Sequence, residues 1–74
     1  DNAYDKYRAV LKLDAQNAAA RSGLREVATR LVKRANDAID KGDEAAAREG
    51  LRRARQADAS LPAIRTAEAR LAGG

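Results

Sequence analysis

The feature that most constrains this chain is the stretch from Asn17 to Lys41, NAAARSGLREVATRLVKRANDAIDK, which carries helical periodicity without a break. Ala20, Leu24, Val27, Leu31, Ala35 and Ala38 recur at alternating three- and four-residue steps, which puts them on one helix face. Ala28, Val32 and Ile39 widen that stripe, so neighbours are expected on more than one side. At 1.5 Å per residue such a helix, from about residue 18 to 41, runs roughly 35 Å. The rest of the chain is too short to do anything but fold back along it.

The flanks read as shorter helices. Residues 1–13 place Tyr4, Tyr7 and Leu11 on one stripe with Val10 beside them, and Asp1 and Asn2 suit the start. The polar connector 14–17 is short enough to force an antiparallel return, and Asp14 and Asn17 are both candidate caps. Gly23 costs about 1 kcal/mol against Ala inside a helix, which close packing by the first helix would explain. Gly42 reads as a left-handed stop, with Asp43 capping a third helix over 44–57 that turns Ala47, Leu51, Ala54 and Ala57 inward. Gly50 beside Leu51 marks a second close approach. Ser60 is the expected cap of a fourth helix over 61–72, with Pro62 in its first turn and Leu61, Ile64, Ala67 and Leu71 on one face.

Composition fits an all-α fold of about four helices in antiparallel hairpins, forming a single module over residues 1–74. Of the apolar residues 19 are Ala and only 14 are larger, so the core is thin and helices can approach closely. No apolar run reaches the roughly 20 residues a membrane helix needs, and no signal-peptide pattern is visible. With no Cys, the redox compartment stays open. The Ala- and Arg-rich composition suggests a bacterial source.

An internal echo gives the architecture more shape. Ala3, Tyr7, Val10, Leu11 and Asp14 correspond, at an offset of 44 residues, to Ala47, Leu51, Ala54, Arg55 and Asp58. The pattern of a small residue, a large one four later, a small one three later and an Asp in the turn resembles the second helix of a tetratricopeptide repeat. Gly42-Asp43 resembles that family's inter-helix turn, and Leu31 and Ala35 sit where its first helix has a large and then a small residue. The chain departs from the family in its period, 44 residues against roughly 34. It also departs at Ala15 and Ala59, which replace turn prolines, at Ala38, which replaces an aromatic, and at Glu68, which faces the position of Leu24. The resemblance implies a right-handed solenoid fragment that begins and ends inside a longer array.

Function follows from what is present and what is missing. There is no His and no Cys, which removes the usual general base, the thiol nucleophile and most transition-metal ligands. Ser22 and Ser60 have no base at a recognisable spacing and read as surface and cap. Asp37, Asp40, Asp43 and Glu44 gather at a turn without calcium-loop spacing, and read as caps and solvated surface. No enzyme activity, cofactor or metal is therefore expected.

Arg48, Arg52 and Arg55 form a basic stripe at i, i+4, i+7. The plain reading is a solvated face with local pairs such as Glu44–Arg48; an acidic partner comes next, and nucleic acid last, for want of aromatic platforms. The net charge of +4 sits mostly in residues 21–36 and 50–74, around an acidic segment 37–49.

By the resemblance, Thr29, Val32, Lys33, Asn36, Ile39 and Asp40 would line an exposed inner surface that holds a peptide. Asn36 would hydrogen-bond the ligand backbone, since an amide both donates and accepts. The expected role is thus a non-catalytic protein-interaction or spacer module binding a protein or peptide. The alternative is self-association through the first helix, whose Tyr4 and Tyr7 lack a preceding helix to cover them.

Overall fold

The computed structural model describes residues 2–14 and 17–73. Four α-helices are present among them: α1 (Asn2–Leu13), α2 (Ala18–Asp40), α3 (Glu44–Ala57) and α4 (Pro62–Gly73). Helix α2 is the axis. Helices α1 and α3 return antiparallel along it, and α4 packs against both α2 and α3. The molecule is elongated, 41 Å along its longest axis, as a helix of that length requires.

Helix α2 starts where Asn17 caps it, the side-chain oxygen accepting from the Ala20 N–H at 2.8 Å; Asp14, the other candidate, does not cap it. It stops at Gly42, whose φ of +79° only glycine adopts freely. There the Asp43 N–H donates to the Ala38 carbonyl and the Gly42 N–H to that of Ile39, satisfying two carbonyls the helix end would leave bare. Asp43 then caps α3, its carboxylate accepting from the Ala46 N–H at 3.1 Å. One residue thus closes one helix and opens the next, which is why the turn can be so short.

Ser60 does not cap α4. Its N–H and hydroxyl both donate to Asp58 Oδ1, at 3.0 and 2.5 Å, so the polar turn is built on Asp58. Leu61 stands at the cap position and is buried instead. Pro62 opens the helix, where its missing N–H has no intrahelical role.

The core is one cluster running along α2. Leu24, Val27, Ala28, Leu31, Val32 and Ala35 meet Leu51, Ala54 and Ala57 of α3, together with Leu61, Ile64 and Ala67. Two of the in-helix glycines, Gly23 and Gly50, are approach points. A Cβ on Gly23 would overlap the ring of Tyr7. One on Gly50 would stand 3.3 Å from the Ala35 Cβ and 3.4 Å from the Leu31 carbonyl oxygen, closer than most side chains pack. The apolar stripe of α1 is only half-covered, with Tyr4, Tyr7 and Leu11 against the core margin.

Candidate interaction surfaces

The residues expected to line an inner surface on α2 meet different fates, and α4 is the reason. Val32 is a correction: it is 4% exposed and belongs to the core with Ile64 and Ala67 of α4. Asn36 is half-buried and Asp40 exposed, but both are engaged. Arg70, near the end of α4, spreads its guanidinium over both, donating to Asn36 Oδ1 at 2.8 Å and to Asp40 Oδ1 at 2.6 Å. The Asn36 oxygen expected to meet a ligand backbone therefore accepts from the protein itself. Ile39 is half-buried. Thr29 is exposed, its hydroxyl donating to the Arg25 carbonyl one turn back at 2.9 Å. Lys33 is exposed. Thr29 and Lys33 are thus the exposed positions of the six that no inter-helix bond occupies.

The arginine stripe of α3 is matched by carboxylates. Arg48 lies 3.9 Å from Glu44. Arg52 grips Glu49 with two bonds, Nε to Oε2 at 3.1 Å and Nη2 to Oε1 at 2.6 Å. Arg55 crosses to α4 and donates to Glu68 at 2.5 Å. The hydrogen bond from Arg52 holds the Glu49 carboxyl below its ordinary range, and that from Arg55 does the same for Glu68. All these groups are exposed, so each pair is worth little by itself. Their collective effect is to cancel the charge of the stripe. Glu68, which breaks the apolar match to Leu24, does so because it faces Arg55.

A basic region that is not cancelled lies elsewhere. Helices α1 and α3 flank α2, leaving a valley between them. A hollow of about 560 Å³ at the amino-terminal end of α2 is lined by Arg8, Arg21, Arg25 and Asp58 above Leu11 and Leu24. A smaller one, about 190 Å³, continues past Tyr4, Val27, Leu31 and Arg53. Sequence reasoning singled out none of these arginines. The signal was there in the charge of residues 21–36 and in Arg21 and Arg25 spaced i, i+4, but nothing in the sequence placed them beside Arg8.

Among the described residues no three His, Cys, Asp or Glu side chains gather as a metal site, and no helix is long and apolar enough to cross a membrane. Comparison with protein-family models, curated proteins and solved structures finds no match.

Proposed function

We propose that this chain is a non-catalytic, tetratricopeptide-like module that binds a protein partner and acts as a scaffold or spacer. The observation that carries the reading is that two helices related by the 44-residue echo, α1 and α3, both lie along α2. A glycine permits each close approach, on α2 for the first (Gly23 beneath Tyr7) and on α3 for the second (Gly50 against Ala35). Units that bury their apolar faces only against neighbours serve in stacked arrays, where long exposed surfaces recognise other proteins.

The chemistry of the surface supports the non-catalytic part. His and Cys are missing from the chain. At the acidic turn, Asp43 caps α3 and Asp40 is held by Arg70, while Glu44 faces Arg48. These carboxylates serve structure, and each stands exposed on the surface. Self-association through α1 has less to rest on, because Tyr4, Tyr7 and Leu11 are turned onto the core margin. The large apolar side chain exposed among the described residues is Leu13.

The test places a photo-crosslinking amino acid at Lys33, at Arg21 or at Leu13 and recovers adducts from cells. The reading expects protein adducts at one of the first two positions, with the purified chain monomeric by sedimentation. A dimer crosslinked at Leu13 would replace it with self-association, and no protein adduct from any of the three would overturn it.

A further inference from the structure

The valley between α1 and α3 gathers several arginines that no carboxylate among the described residues pairs with. Arg8, Arg21, Arg25 and Arg53 are exposed, and none forms an ion pair with a carboxylate among the described residues. Arg8 instead lies over the Tyr4 ring, 5.9 Å from its centroid. Arg48, Arg52, Arg55 and Arg70, by contrast, each meet a carboxylate. Acidic groups reach the valley as well, Asp58 at the larger hollow and Asp5 at the smaller, but at the larger one Arg8, Arg21 and Arg25 outnumber the single carboxylate of Asp58. The amino-terminal end of α2 adds the partial positive charge of its helix dipole.

Among the arginines Leu11 is half-buried and keeps apolar surface open, whereas Leu24, Val27 and Leu31 border the hollows but are only 4%, 4% and 9% exposed. We propose that this valley is a docking site for an acidic, amphipathic segment of a protein partner, whose carboxylates meet Arg8, Arg21, Arg25 and Arg53 and whose apolar side chains lie on Leu11. Arginine suits that role because its planar fork binds a carboxylate through two bonds. A nucleic acid would find the phosphate contacts but no free stacking platform, since the Tyr4 ring is covered by Arg8. The proposal rests on the interaction-module reading and adds to it the surface and the chemistry of the partner.

The experiment titrates the chain with three labelled probes: a Glu-rich peptide with Leu at helical spacing, a Glu-only peptide, and single-stranded oligothymidylate. The Glu–Leu peptide should bind, and R21E with R25E should weaken it by on the order of tenfold or more. R48E, on the cancelled stripe, should leave binding unchanged. Both variants should keep the parental helix signal, because the changed residues are exposed and an acidic residue near the start of α2 suits the dipole. Tighter binding of oligothymidylate than of the Glu–Leu peptide would overturn the proposal in favour of nucleic acid. Equal binding of the Glu-only peptide would overturn the role of Leu11. Failure of the Glu–Leu peptide to bind, or equal loss with R48E, would overturn the site. If crosslinks at Lys33 still capture a protein in those cases, the interaction reading stands and only the valley falls.

Discussion

Helices α1 and α3 meet the same central helix from two sides and carry the same pattern, yet they are buried to different depths. Ala47, Leu51 and Ala54 of α3 are 0%, 4% and 0% exposed. Their counterparts in α1, Ala3, Tyr7 and Val10, are only half-buried. The α1 side chains are the larger, so size does not explain the difference. The neighbours do: α3 is held between α2 and α4, whereas α1 packs chiefly on α2. Burial comes from the flanking helices, and a helix packed chiefly on one neighbour should open at lower free energy than a helix held by two.

The strongest way to break this comparison is to shorten one side chain on each flank. Leu51→Ala should cost about 2–5 kcal/mol, as large-to-small changes in a packed core do. A core this small supplies no more than about 3–5 kcal/mol in total, so much of the population should unfold. Leu11→Ala, at a half-buried site, should cost about 1 kcal/mol. Urea denaturation followed by helix signal measures both. Equal losses would show that α1 is docked as firmly as α3, and would remove the contrast between the flanks.

Much of this asymmetry was legible beforehand. The three- and four-residue steps of Leu24, Val27, Leu31 and Ala35 gave the buried face of α2, and Gly42-Asp43 gave its end, because local backbone chemistry decides both. Gly23 and Gly50 were readable as approach points, since a glycine inside a helix needs a compensating contact. The path of α4 was not legible. It depends on Arg70 reaching Asn36 and Asp40, and on Arg55 reaching Glu68, across separations no helical period encodes. Val32 is the instructive case: its spacing puts it in the widened apolar stripe, the family resemblance puts it on an open surface, and the structure buries it as the spacing implies. The valley was missed because Arg8 meets Arg21 and Arg25 only through the hairpin. Ser60 was misread because Asp58, two residues earlier, competes for the same turn and wins with a stronger acceptor.

The two glycines sharpen the comparison at lower cost. Gly23→Ala should gain up to about 1 kcal/mol of helix propensity in α2, but its methyl occupies the space of the Tyr7 ring. Overpacking of this kind costs about 1–3 kcal/mol, and α1, packed chiefly on α2, is the part free to yield. Hydrogen exchange should show protection lost over residues 3–13 and kept in α2 and α3. Gly50→Ala should behave differently. Its methyl needs only a few tenths of an ångström from Ala35 and the Leu31 carbonyl, so propensity and crowding should offset to within about 1 kcal/mol, with α3 still docked. Release of α3 by Gly50→Ala, or retention of α1 by Gly23→Ala, would reverse the assignment of the weaker flank.

The smallest effect expected is electrostatic and falls on one flank only. Arg55–Glu68 ties α3 to α4, whereas no ion pair among the described residues ties α1 to its neighbours. The Glu68 carboxyl is held below its ordinary value of 4.5, chiefly by the hydrogen bond from Arg55. A carboxylate with a lowered pKa in the folded state binds its proton less readily there than in the unfolded chain. Its contribution to stability is therefore complete above the ordinary value, and is lost as pH falls through the lowered one. Exposure of both groups keeps the contribution small. The melting temperature of the parent minus that of Glu68→Gln should be positive and level near neutrality, then shrink as pH drops below 4.5. A difference that stays constant into that range would mean Glu68 acts through packing and not charge, and the firmer hold on α3 would then rest on Leu51 and its neighbours alone.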